Sequence, residues 1–176
     1  MKEYKPIFIS LVKFFSVYLF LTILYYWYLS YYQNKLHTCD DYTYMVAKQS
    51  SSLLNWVGIS SQALHMDNEN YMRFFINNKS ISIVNEGCNA LSVIILYISF
   101  IIAFANSIKK TCIYLLITIL IIYLINILRI SFINYVFSYY PEYGEASHDY
   151  LFPAIIYGLI IVLWIIWIKF FVFKKK

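Results

Sequence analysis

The chain has 176 residues, enough for one modest domain, yet 61% of them are hydrophobic, 21% aromatic and only 13% charged. A soluble fold of this size needs more polar cover than that, so part of its surface must be solvated by lipid. The formal net charge of +5 gathers in short lysine clusters beside apolar runs. That placement suits an orientation signal and contact with anionic lipid, and gives no sign of nucleic-acid binding.

Four apolar runs stand near the roughly 20 residues that span a bilayer as helix. The first, Ile7 to Leu29, follows Lys2 and Lys5 and is too long for a leader core. No small-residue cleavage site follows it, so it reads as an uncleaved signal anchor. A polar segment of residues 30–87 comes next. Within "LHTCDDYTYMVAKQSSSLLNWVGIS", Thr38 and Asp41 have the spacing of a capping box. Tyr44, Met45, Lys48, Ser52 and Leu53 then recur at helical spacing towards Trp56, and Gly58 is placed as a stop. "YMRFFINNKSISIVNEG" reads as a β-hairpin about Asn77 and Asn78, because asparagine tolerates positive φ. The predicted pair is Met72 to Ile76 with Ser80 to Val84, and it delivers the chain to Cys88.

The second apolar run is Ala90 to Ala105, or residues 89–106 with its flanking asparagines. Lys109 and Lys110 separate it from the third, Ile113 to about Ile133. A short acidic stretch with Glu142, Glu145 and Asp149 then leads to the fourth, Leu151 to Phe173, which ends in Lys169, Lys174, Lys175 and Lys176. Four spans put every lysine cluster on one side, the cytoplasm, and the two polar segments on the other. The predicted fold class is therefore an all-α polytopic membrane protein, one integral domain with a small outer helix and hairpin between its first two spans.

Three distant stretches then converge on the outer face. Cys88 precedes the second run. Arg129 lies 19 residues beyond Lys110, close to a full crossing at about 1.5 Å per residue. His148 stands just before the fourth run. A thiol, a guanidinium and an imidazole suit nucleophilic acyl transfer: the thiolate attacks a carbonyl, the histidine moves protons, and the arginine stabilises negative charge. Taken singly, each has a bland reading as a packed thiol, a headgroup anchor or a solvated histidine, and His37 and His65 are predicted outside as well. Glu86, Gly87 and Asn89 flank the thiol with a polarity and backbone freedom that a packing cysteine does not need.

At these residues the chain resembles a known family. "EGCNALS", "NILRISFIN" and "SHDYLF" are similar, in that order, to the three motifs of the exosortase/archaeosortase membrane transpeptidases. The short length resembles the small exosortase F branch, and the likeness covers roughly Tyr42 to Tyr157. It implies Cys88 as nucleophile, Arg129 as transition-state stabiliser, His148 as general acid/base and Asn126 as companion to Arg129, with no cofactor and no metal. It also implies a bacterial inner-membrane enzyme with both termini cytoplasmic and a periplasmic site. The substrates implied are proteins ending in a short motif, a transmembrane helix and a basic tail, transferred to an unknown acceptor. One departure is plain: the family usually has glycine two residues after the nucleophile, and this chain has Ala90.

Two other classes compete. A membrane thiol–disulfide oxidoreductase would want paired thiols, typically C-x-x-C, whereas Cys39 and Cys88 are far apart and Cys112 sits at the inner boundary. A non-catalytic scaffold would tolerate Cys88→Ser. A metal site is weaker still, since one cysteine with scattered His and Asp lacks ligand spacing.

Overall fold

The computed structural model describes residues 5–172. Lys2, Phe173, Lys174, Lys175 and Lys176 lie outside the described residues. Helix α1 (Lys5–Ser30) runs on as a wider π-helical turn to Leu36, and His37 ends it in the left-handed conformation at φ 50°. Its flanks stay apolar and uncovered, with Phe8, Leu19, Phe20 and Trp27 all exposed, as a lipid-facing helix requires.

Helix α2 (Asp41–Trp56) starts later than the capping-box reading placed it. Its cap is Asp40, whose side chain accepts from the Thr43 N–H at 3.0 Å. Thr38 meets His65 Nε2 instead, at 3.0 Å. The buried stripe is also offset from the residues singled out by spacing: Thr43, Val46, Ala47, Ser50, Ser51 and Leu54 face inward, while Tyr44 and Met45 are exposed. Small residues win that face because helix meets helix closely there, with the Ser131 hydroxyl donating to the Ser50 carbonyl at 2.9 Å. The expected stop at Gly58 is present. Gly58 has φ 85°, and the Gly58 and Ile59 N–H groups reach the Asn55 and Leu54 carbonyls in a Schellman closure.

The expected hairpin is one half of a larger sheet. Three antiparallel strands, β1 (Ser61–His65), β2 (Met72–Ile76) and β3 (Lys79–Val84), lie in the order β1-β2-β3. Asn77 and Asn78 turn the β2–β3 hairpin at φ 49° and 63°, and Met72 pairs with Val84 and Ile76 with Lys79. A bulge between Phe74 and Phe75 leaves Ile81 without a partner. The sequence "SQALH" lacks the β-branched residues that mark a strand. Its pairing is imposed from outside: the Asn55 side chain holds Ser61 through both backbone groups, at 2.8 and 2.9 Å.

Helix α3 (Leu91–Ala103) has 13 residues, about 20 Å of helix, and is shorter than residues 89–106. Ala90 in the left-handed region delays its start, and the chain leaves the helix at Phe104. Helix α4 (Ile108–Tyr139) has 32 residues, about 48 Å, so it outruns the third apolar run at both ends. The stretch from Asn134 to Tyr150 is therefore helical, not an open loop: α4 continues to Tyr139, and the short α5 (Pro141–Ala146) passes through a π-helical turn into α6 (Phe152–Trp167). Among the described residues, three helical stretches are long and apolar enough to cross a membrane, Ile7–Leu36, Ile108–Tyr139 and Pro141–Val172, and α3 is a shorter apolar helix.

Two apolar clusters hold these parts together. One joins α2 and the sheet to α4 through Val46, Leu54, Met72, Phe74, Ile76 and Ile130. The other sits between α3, α4 and α6, around Tyr97, Ile101, Ile122 and Trp167. Phe74, Tyr97 and Trp167 are almost completely buried. For Phe74, in the sheet, that burial contributes roughly 2–3 kcal/mol, whereas Tyr97 and Trp167 lie on the apolar helices and hold them by close packing, lipid being as apolar as they are. The seam between the clusters, where β3 hands over to α3 against α4, is where Cys88 lies.

Candidate active site

The backbone about Cys88 is held from both sides. The Cys88 N–H donates to the Asn85 carbonyl at 2.9 Å, and the Asn85 side chain accepts from the Gly87 N–H at 3.0 Å. This closes a tight turn on "NEGC". A Cβ on Gly87 would lie 3.2 Å from Asn85 Oδ1, so a small residue suits that position. On the other side, the completely buried Asn89 donates to the Thr43 hydroxyl at 2.8 Å and accepts from the Leu91 N–H at 2.8 Å. One amide thus ties α2 to the first turn of α3. Ala90 follows at φ 63°, a conformation that costs a residue with a Cβ about 1–2 kcal/mol.

Helix α4 supplies the third restraint. Asn126 Nδ2 and Arg129 Nη2 both donate to the Cys88 carbonyl, at 3.1 and 2.9 Å. They stand three residues apart, hence on one helix face. Asn126 is completely buried, and its Oδ1 has no partner among the described residues. No carboxylate pairs with Arg129 among the described residues. Its half-buried positive charge therefore acts on Cys88 and on whatever enters beside it.

Cys88, Arg129 and His148 line one cavity of about 240 Å³, closed by Ser82, Ile83 and Val84 of β3 and by Ile130, Ile133, Asn134 and Phe137 of α4. His148 lies in the π-helical turn after α5, with its ring 6.5 Å from that of Phe137. Its Nδ1 is 2.8 Å from Asp149 Oδ1, and its side chain is 56% exposed. With Nδ1–H given to the carboxylate, Nε2 is left to exchange protons.

The remaining named residues sit elsewhere. Glu86 accepts from Gln33 at 3.3 Å and is not part of the cavity wall. Cys39 is buried, and burial, then the neighbouring Asp40, pushes its thiol up to about 12. His65 contacts Thr38 and the Glu69 carbonyl, and His37 caps the end of the first helical stretch. Cys112 is exposed near the start of α4, at the opposite end of that helix from Arg129. No group of three metal-binding side chains occurs among the described residues. A larger groove of about 770 Å³ between α1, α3 and α6 is walled by Phe14, Phe100, Phe104 and Trp164, with the Ser10 hydroxyl as its one small polar group. It offers no cysteine, histidine or charged side chain, so volume alone does not make it the site.

Reasoning from sequence missed Asp149 as partner of His148, and Ser82, Asn134 and Phe137 as wall residues. The Ser82 hydroxyl donates to Asn134 Oδ1 at 2.6 Å. A signal for Asn134 and Phe137 was present: with Asn126, Arg129, Ile130 and Ile133 they continue one face at helical spacing, hidden by ending the helix at Ile133.

A thiol, a guanidinium and an imidazole beside a carboxylate therefore line one cavity in a chain whose long apolar helices mark a membrane protein. The chain matches the family described as transmembrane exosortase over residues 9–171 and belongs to that family. Comparison with curated proteins and with solved structures returns no match.

Proposed function

We propose that this exosortase-family chain is a cysteine peptidase or transpeptidase that processes a C-terminal sorting signal, with Cys88, Arg129 and His148 as its working set. The observation that carries the reading is the shared cavity: Cys88, Arg129 and His148 all line it, and no carboxylate pairs with Arg129 among the described residues. His148 Nε2 takes the thiol proton as Cys88 Sγ attacks the scissile carbonyl carbon. Negative charge moves to the carbonyl oxygen, where free Arg129 N–H donors meet it. Collapse breaks the C–N bond, His148 returns the proton to the departing amine, and an acyl-enzyme thioester remains on Cys88. Water or an acceptor amine then releases the acyl group. Asp149 holds the imidazole tautomer throughout, in the manner of the orienting member of a catalytic triad. Asn126 positions the Cys88 backbone.

The same reading places the sheet end of the molecule outside the inner membrane, α3 as a fourth, short span, and both termini in the cytoplasm. Substrates are proteins ending in a motif, a transmembrane helix and a basic tail, as the small exosortase F branch would take them. The oxidoreductase alternative is disfavoured by Cys39, whose buried thiol, pushed up to about 12, is a poor exchange partner near neutral pH. The test is processing of such a substrate in cells. Cys88→Ala should abolish it with the protein still inserted, and Cys88→Ser should be nearly as poor. Arg129→Lys keeps the charge but loses the planar fork, and should cost about 10²–10³ in rate, the range for losing one oxyanion donor. Full processing by Cys88→Ala would end the proposal.

A further inference from the structure

The β3 strand runs directly into the Cys88 turn, and its far edge is open. The phase of the sheet shows which backbone groups that edge presents. The Asn77 N–H donates to the Ser60 carbonyl at 2.9 Å, on the β1 side. Backbone groups alternate along a strand, so Phe75 and Arg73 also address β1, while Ile76, Phe74 and Met72 address β3. Arg73 is paired with Ile83, which makes this a non-hydrogen-bonded pair in which the N–H and C=O of Ile83 turn away from β2. Beyond the sheet ladder, neither group has a backbone partner among the described residues. The Ile83 side chain is 52% exposed and lines the same cavity as Cys88.

An open edge of this kind is normally blunted by charge, proline or cover. From Ile81 to Val84 the strand carries no charge and no proline, and the lysine of β3 stands at the hairpin end. The unprotected part is the part beside the cavity. We infer that the substrate binds as an extended peptide, adding a fourth strand to the free edge of β3 and pairing with both backbone groups of Ile83, so that its scissile carbonyl is led to Cys88. This rests on the peptidase reading above and names how that site takes its substrate. Strand addition recognises main chain first, while the small, mostly apolar cavity limits the side chain beside the scissile bond.

The test uses the full-length protein in detergent with two reagents. One is a mixed-sequence tetrapeptidyl chloromethyl ketone, in which Cys88 Sγ forms a C–S bond and chloride leaves. The other is iodoacetamide, which reaches the same sulfur without a peptide backbone. Ile83→Pro removes the outward N–H while leaving the β2 ladder intact. Relative to iodoacetamide labelling of the same variant, it should slow peptidyl labelling of Cys88 about tenfold, the effect of one lost net hydrogen bond. Ile83→Ala keeps the N–H and should slow it far less. On the wild-type protein, N-methylation of successive peptide amides should slow labelling at alternate positions only, a period that a merely structural role for β3 would not produce. Equal peptidyl rates in the wild type and Ile83→Pro, or N-methyl effects without alternation, would overturn strand addition and leave the cysteine mechanism standing. Cys88 that reacts with iodoacetamide but with none of the peptidyl reagent would overturn both.

Discussion

Gly144 offers a test in which two physical effects oppose each other. It lies in the middle of α5, where replacing glycine by alanine ordinarily stabilises a helix by about 0.5–1 kcal/mol. Here an added Cβ would fall 2.4 Å from Phe137 Cδ1 and 2.5 Å from Cε1. Ordinary contact begins at 3.4 Å, so the ring must retreat by about 1 Å. Phe137 is a cavity wall and a neighbour of the His148 ring, so the displacement acts on the proposed site. Overpacking of this kind costs roughly 1–3 kcal/mol, and the net expectation is a loss of about 1–2 kcal/mol. Thermal unfolding of the detergent-solubilised protein reads the stability, and substrate processing reads the site. Gly144→Ala should lower both, and adding Phe137→Leu should recover much of the loss, since the two positions share one contact. A Gly144→Ala variant that is more stable than wild type and processes normally would refute the reasoning, because propensity alone would then have decided the outcome.

Other expectations follow from single features. Ala90→Gly removes the left-handed strain of about 1–2 kcal/mol at the cost of about 0.5–1 kcal/mol of chain entropy, so the variant should unfold at higher temperature. Ala90→Val should do the opposite. With its thiol pushed up to about 12, Cys39 should be the slowest of the cysteines to alkylate near neutral pH by mass spectrometry, and Cys39→Ala should process substrate normally. Cysteines introduced at Asn77 and Glu142 should label from outside and one at Lys110 only from the cytoplasm; cytoplasmic labelling at Asn77 would put the cavity in the wrong compartment.

Much of this protein was legible as local pattern. Composition and apolar run length forced a membrane solvent, because a chain with so few charges cannot cover its own surface with polar groups. Gly58 and the Asn77–Asn78 pair marked their turns correctly, since positive φ is a property of the residue itself. The stretches containing Cys88, Arg129 and His148 could be singled out for the same reason: unusual side chains at the ends of apolar runs are visible one at a time. What tertiary structure alone decided is what depends on contact. "SQALH" became a strand because Asn55 and β2 accepted its backbone groups, and no propensity of its own predicted that. The buried face of α2 was selected by α4, whose close approach favours serine and alanine over the larger Tyr44 and Met45. Glu86 turned to Gln33 and Asp149 to His148, choices made by which neighbour lay within hydrogen-bonding reach. The cavity itself exists because α4 runs unbroken past Ile133 and brings Asn134 and Phe137 against β3, across about fifty residues of intervening chain that no sequence spacing can measure.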